Sequence, residues 1–293
     1  MKTGRNVSLS RSFILFCVLV FIIGIPGRLC AAGKSGVTTE PLWEFGLFPG
    51  AVYMPHYRGS DEYRLWALPL PYVIYRGKFF ELDQEGVRGI FYRSENLETT
   101  LSGWGNPPVA DDNRARTGMS ELDSVIEAGP SLKWYFTGRH PYRTIYLQFA
   151  ARAAFSVGIP DNIDIRHRGF KSAMNLVYQH DAPWGNPRWH MGLNTGIEFS
   201  DKSLHEYFYE VPPKDARPGR PAFEPDAGLS VLSLSGRIIR RISERLSFAG
   251  YVRWEYVSPA AYADSPLVQD DHNFFIGCAA IWKLKESRAP AYH

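Results

Sequence analysis

Three groups of residues in this 293-residue chain have side chains of the types used in chemistry. The first is Asp264, Ser265 and His272, the residue types of a nucleophilic triad. A catalytic serine needs a base within hydrogen-bonding reach of its hydroxyl. Here Pro266 follows Ser265 directly, and a residue before proline is pushed toward extended backbone. That setting suits loop capping better than catalysis. The second group is His180, Asp181 and His190. Adjacent residues on a strand face opposite sides, so His180 and Asp181 would need further ligands converging from elsewhere to hold a metal. The intervening Pro183, Gly185, Asn186 and Pro187 describe a tight turn instead. The third is Asp161, Asp164, Arg166, His167 and Arg168, suited to bridging lipopolysaccharide phosphates through divalent ions or to a solvated loop; the solvated loop is the better reading. No GxGxxG, P-loop or Cys/His metal spacing occurs. The expectation is no catalytic residue, no metal and no cofactor, hence no enzyme.

The elements carrying these residues have a period of two. In the stretch from Ser247 to Val257, Phe248, Val252, Trp254 and Tyr256 share one face, while Ser247, Tyr251, Arg253 and Glu255 share the other. Leu147 and Phe149 likewise oppose Gln148 and Arg152; Met174 and Leu176 oppose Lys171 and Asn175. Ile197 and Phe199 oppose Glu198; Leu132 and Trp134 oppose Glu127 and Lys133. Gly129 and Pro130 interrupt that last strand and suggest a bulge. A sandwich turns its apolar faces inward and its polar faces to water. Long alternating strands with aromatics near their ends, among them Trp43, Trp66, Trp134, Trp189, Trp254 and Trp282, instead describe an outer-membrane barrel. The fold expected is all-β, a transmembrane antiparallel up-and-down barrel, its apolar faces meeting lipid. The interior would be lined by Glu127, Lys133, Gln148, Arg152, Lys171, Asn175, Glu198, Arg237, Arg253 and Glu255.

The N-terminus is consistent with export. Lys2, Arg5 and Arg11 precede a short apolar run over 13–25, and Cys30 to Ala32 have the small residues of a cleavage site. A secretory signal over 1–32 is expected, leaving a barrel domain over 33–293 with strands from about 43 to 284 and a polar tail at 285–293. The whole chain has 33 basic and 30 acidic residues; four of the basic ones lie in the expected signal, so the remainder is close to neutral and implies no nucleic-acid partner. Cys278 is the one cysteine beyond the signal, so no internal disulfide is expected.

Loop lengths set the strand count. Bacterial barrels have short periplasmic turns, longer outer loops and an even number of strands. Candidate strands lie at 43–56, 63–76, 78–83, 86–92, 96–104, 124–136, 143–156, 169–181, 188–200, 227–240, 246–258 and 272–284. Splitting the fourth strand from the third at 83–86 gives twelve and puts 105–123, 157–168, 201–226 and 259–271 on the outer side. No amphipathic helix is expected after Trp43, and the Pro-rich 212–226 is expected to be the most mobile part.

Several stretches are similar to the MipA/OmpV family of MltA-interacting outer-membrane proteins. They are the Tyr57 to Asp61 stretch with Pro69 and Pro71 after it, the Gly129-Pro130 strand, Tyr207 to Ala216 with Phe223 to Leu229, and Leu246 to Val268. The resemblance runs from about Trp43 to Leu284. It implies an outer-membrane location and a scaffolding role linking a murein transglycosylase and a murein synthase, with outer-membrane lipid and lipopolysaccharide around a monomeric barrel. The mixed-charge lumen leaves a passive small-solute channel as the alternative. The chain departs from the usual pattern at its end, where Leu284 closes the last strand in place of a terminal aromatic.

Overall fold

The computed structural model describes residues 41–76, 80–83, 86–109, 113–136, 142–158 and 164–290, with the side chains of residue 68 and residues 76–90 outside that description. The expected signal over 1–32 lies outside the described residues. Twelve antiparallel strands follow one another around a closed barrel: β1 (Trp43–Pro55), β2 (Tyr63–Arg76), β3 (Phe80–Asp83), β4 (Gly86–Arg93), β5 (Leu97–Asn106), β6 (Ser124–Tyr135), β7 (Arg143–Gly158), β8 (Asp164–Asp181), β9 (Trp189–Ser200), β10 (Gly228–Arg241), β11 (Leu246–Tyr256) and β12 (His272–Glu286). β12 pairs back onto β1 with Gly50 opposite Ala279 and Tyr53 opposite Ile276. Closure removes the unpaired strand edges that hydrocarbon cannot tolerate.

Alternation decides what each face meets. Leu234, Phe248, Val252, Phe149, Met174, Leu176 and Leu193 are exposed on the outside, whereas Glu127, Lys133, Lys171, Glu198, Arg253 and Glu255 are buried inside. Aromatic pairs mark both rims: Trp254, Tyr256 and His272 stack at the outer end, and Trp134 lies against Phe136 at the inner end.

Four expectations change. First, β8 starts at Asp164, not 169, and β7 runs on to Gly158, so this pair projects beyond the roughly 9–11 residues that cross a bilayer. The pair shifts register where Ala154 faces Gly169 and Phe155 faces His167. Gly169 takes a positive φ of 126° there, and a Cβ on it would overlap the Asp201 carboxylate. Second, Gly129 and Pro130 cause no bulge: register with β5 runs through them unshifted, and Gly129 admits the Ala151 carbonyl where a Cβ would overlap it. Third, a helix does form, α1 (Lys202–Tyr209). Its two turns are too short to show a period. Asp201 caps it, accepting from Leu204 N at 3.0 Å and from Phe170 N at 2.9 Å, and packing supplies the rest. Fourth, β12 continues to Glu286 and the tail stays zipped to the start of β1: Ser287 N donates to the Trp43 carbonyl (2.8 Å) and Leu42 N to that of Ala289 (2.9 Å).

Leu234 lies outward near the middle of β10, so Leu234→Arg is expected to cost ~2–4 kcal/mol. The inward neighbour change Ser235→Asn should stay within about 1 kcal/mol. Urea unfolding from lipid vesicles, followed by tryptophan fluorescence, measures both.

The barrel interior as candidate functional site

Two unlike walls enclose the lumen. One, from β5 to β9 with Arg253 and Glu255 of β11, is polar. Lys171 Nζ on β8 meets Glu127 Oε1 on β6 at 2.6 Å and Glu198 Oε2 on β9 at 3.5 Å. Arg253 on β11 reaches Glu255 Oε1 at 2.8 Å and Glu198 Oε1 at 3.3 Å. Arg152 Nη1 stands 4.0 Å from Glu127 Oε2, and its Nε donates to Ser102 Oγ at 3.1 Å. Into this ring descends Arg58 from the loop between β1 and β2. Its Nη1 lies 2.7 Å from Glu198 and its Nε 3.0 Å from Glu255. Burial alone would lower the Arg58 pKa, but the Glu198 and Glu255 carboxylates outweigh it and hold the guanidinium charged, above its ordinary value.

The other wall is apolar. Phe48, Val52 and Met54 of β1, Trp66 of β2, Ile239 of β10, Ala249 of β11 and Phe275 and Ala279 of β12 line a cavity of about 250 Å³. Phe48, Ile239, Ala279 and Ile281, with Tyr72 and Ala249, close its inner end. Polar-in alternation therefore fails on β12, β1 and β2, whose runs are apolar on both faces. Trp66, expected at the rim, points inward. A second, polar cavity of about 140 Å³ adjoins the charged wall, with Trp104, Arg237, Tyr251 and Arg253 lining both.

The outer loops fold into the mouth as a cap. Tyr57, Val109, Leu122, Tyr209, Val211, Val231, Val257, Tyr262 and Leu267 form one buried cluster drawn from four loops and the strand ends beneath them. Tyr209 and Tyr262 stack at 3.6 Å. Tyr57 OH donates to the Leu267 carbonyl (2.8 Å), Tyr262 OH to that of Ser230 (2.6 Å), and Tyr209 OH to that of Arg58 (3.1 Å). Burial raises the pKa of both Tyr209 and Tyr262, so these phenols stay protonated donors. The Pro-rich 212–226 is tied down as well: Val211 and Phe223 exchange backbone bonds, and Arg220 Nη1 donates to the carbonyls of Ala115 (2.9 Å) and Thr117 (3.0 Å). His205 of α1 is 2% exposed. Its Nδ1 donates to the Asp226 carbonyl (2.7 Å), leaving Nε2 to accept from Ser230 (2.8 Å), and burial lowers its pKa.

The ten residues expected to line the lumen are distributed unequally. Lys133, Gln148, Arg152, Asn175, Glu198, Arg237 and Arg253 line the polar cavity; Lys171, Arg237, Arg253 and Glu255 border the apolar one. Glu127 lies behind, against Lys171. The ten leave out Arg58, a loop residue, and Glu98, which pairs with Arg93 at 3.1 Å and Lys133 at 3.9 Å. Glu98 was legible, since it alternates with outward Leu97; Arg58 was not. Ser265 and His272 are not brought together for catalysis: Ser265 Oγ donates to the Tyr209 carbonyl (2.8 Å), while the His272 ring accepts from Trp254 on the outer surface (3.2 Å). Asp181 and His190 do meet, at 2.8 Å, with Arg241 at 3.5 Å from the other ring nitrogen, while His180 turns to Tyr178. Of the third group, Asp164 pairs with Arg166 (2.7 Å), Arg168 bonds Ser156 and covers the Tyr207 ring, and Asp161 lies outside the described residues.

A closed twelve-strand barrel with a lipid-facing apolar exterior and a charged, capped interior is a transmembrane protein of the outer membrane. Within that class the chain belongs to the family described as MltA-interacting protein MipA, which matches residues 47–284. Among curated proteins none matches the chain. Solved structures similar to it include the NanC porin (6% identity, 81% of this chain and 100% of that one, TM-score 0.41). A bacterial polysaccharide outer membrane secretin is similar as well (10%, 83% and 99%, 0.37), as is OmpT, an outer membrane protein of Vibrio cholerae (5%, 82% and 98%, 0.38). The family match, not these distant likenesses, assigns the chain.

Two outcomes follow from the charges. Glu255→Gln leaves Arg58 and Arg253 each short of a carboxylate, and is expected to destabilise by about 3–5 kcal/mol. Adding Arg253→Gln should cost clearly less than the two single changes together, as a double-mutant cycle by urea unfolding reads directly. His205 is depressed in the folded state, so its neutral form supports the cap fully above its unfolded value of about 6.5. That support is lost as pH falls below it toward the folded pKa. Amide exchange across 204–210, corrected for intrinsic rates, should accelerate at pH 5 relative to pH 7.5, and His205→Asn should flatten that difference.

Proposed function

We propose that the protein is a closed, monomeric barrel that serves as a fixed support for envelope proteins, and is neither an open channel nor an enzyme. The observation that carries this reading is the cap: a buried aromatic and aliphatic cluster fills the outer mouth directly above the Arg58–Glu198–Glu255 pairs. An aqueous path for solutes would have to cross both. Twelve strands lie between the filled eight-strand barrels and the open sixteen-strand pores, and the inward-folded loops favour the filled end of that range. The one serine considered as a nucleophile has its hydroxyl committed to the Tyr209 carbonyl.

The family description names an interaction with MltA. By that likeness the partners are a murein transglycosylase and a murein synthase, met at the inner end, where the turns are short and Pro41 pairs with Pro290. Outer-membrane lipid and lipopolysaccharide surround the wall. Planar-bilayer recording of the purified protein is expected to give no conductance steps; regular ohmic steps would overturn the closed-barrel reading. Mild crosslinking in whole cells is expected to capture a murein transglycosylase, and its repeated absence would remove the scaffold.

A further inference from the structure

The apolar cavity is larger than packing requires. Interiors fill such space when side chains can be chosen to do so, yet here Gly277, Ala249 and Ala279 occupy the wall. A glycine inside a strand marks the close approach of another group. That group is evident at other positions: the Tyr72 ring lies on Gly46, the Ala151 carbonyl on Gly129 and the Arg237 side chain on Gly192. At Gly277 an added Cβ would meet nothing nearer than the Ala51 carbonyl oxygen at 3.3 Å, and the next atoms lie at 3.6 Å. Gly277 therefore touches the neighbouring β1 backbone and the Val52 side chain at its edge, but no ring, carbonyl or long side chain lies directly on it as at those three positions.

The cavity is also lopsided in charge. Arg58, Lys171, Arg237 and Arg253 border it, and Glu255 is the one acid doing so among the described residues. In the ion-pair network behind it, Arg58, Arg152, Lys171 and Arg253 face Glu127, Glu198 and Glu255, four cations to three carboxylates. Arg58 uses Nε and Nη1, and Arg253 uses Nε and Nη2. The remaining terminal nitrogen of each, Nη2 of Arg58 and Nη1 of Arg253, donates to no acceptor among the described residues, although Arg253 is only 8% exposed. Guanidinium donors left over at a cavity edge, on a half-buried Arg58 and a buried Arg253, are suited to a carboxylate.

We propose that the cavity binds a small apolar carboxylate, its body against Phe48, Val52, Trp66 and Phe275 and its anionic end held by Arg58 and Arg253. Volume limits the size. An apolar cavity of about 150 Å³ accepts benzene, and drug-sized ligands occupy ~300–1,000 Å³. About 250 Å³ therefore fits one ring with a short acid arm. This assignment is independent of the scaffold reading, since a closed barrel retains the cavity whether or not a partner attaches.

The test uses the full chain in lipid nanodiscs, with 4-(trifluoromethyl)phenylacetate as probe and its uncharged amide as comparison, both followed by 19F NMR. The acid is expected to bind saturably, and the amide at least tenfold more weakly. Ala249→Leu combined with Gly277→Leu fills the cavity and should weaken the acid at least tenfold. Gly277→Val alone gives the same direction if the double variant does not fold, as judged by heat-modifiable gel mobility. No saturable binding by the wild type overturns the proposal. So does equal uptake by wild-type and filled variants, which is partition into lipid, and equal binding of acid and amide, which removes the role of the arginines.

Discussion

In hydrocarbon each backbone N–H and C=O must find a partner within the protein, and this constraint underlies every other feature of the molecule. It forces β12 back onto β1 and closes twelve strands into a cylinder. Closure then creates a second problem. A twelve-strand cylinder is wider than the eight-strand barrels whose side chains just fill them; here strand side chains meet at the inner end and along the charged wall, and the outer mouth is filled from above. Loops drawn from four of the outer connections provide that filling, and the tyrosines among them bond the carbonyls of neighbouring loops and of β10.

Arg58 joins the two solutions. It belongs to the cap by sequence and to the wall by its partners, so cap and wall are fastened by charge as well as by apolar contact. Buried pairs of this kind add little net stability, because desolvation offsets their attraction; losing one partner is costly because it strands the other. Their value lies in specificity. A loop carrying Arg58 has one place in the lumen where its charge is answered, and that place determines how the loop enters.

The two-walled interior gives the closed barrel a chemical character that a uniformly polar lumen would lack. The charged side is compensated within itself to one excess cation, and the apolar side leaves room. Trp104, Arg237, Tyr251 and Arg253 border both spaces, so the polar and apolar halves meet along a single seam.

Much of this architecture can be read from the chain alone. Alternation around Arg253 and Glu255 assigns their faces, and the order of short and long loops yields twelve strands, because both are properties of residues close in sequence. Glu127, Lys171 and Glu198 were legible as inward residues for the same reason. What could not be read is which charges meet. Arg58 and Glu198 are 140 positions apart, and their contact exists only once the barrel has closed and the loop has folded inward. The apolar inner faces of β1, β2 and β12 were hidden because a run that is apolar on both sides has no period to read. The two turns of α1 depend on Asp201 and on burial of Leu204, His205 and Tyr209. The sequence by itself determined which way each alternating side chain points; the tertiary structure decided what it meets there, since a strand's facing is local and the contents of a closed lumen are not.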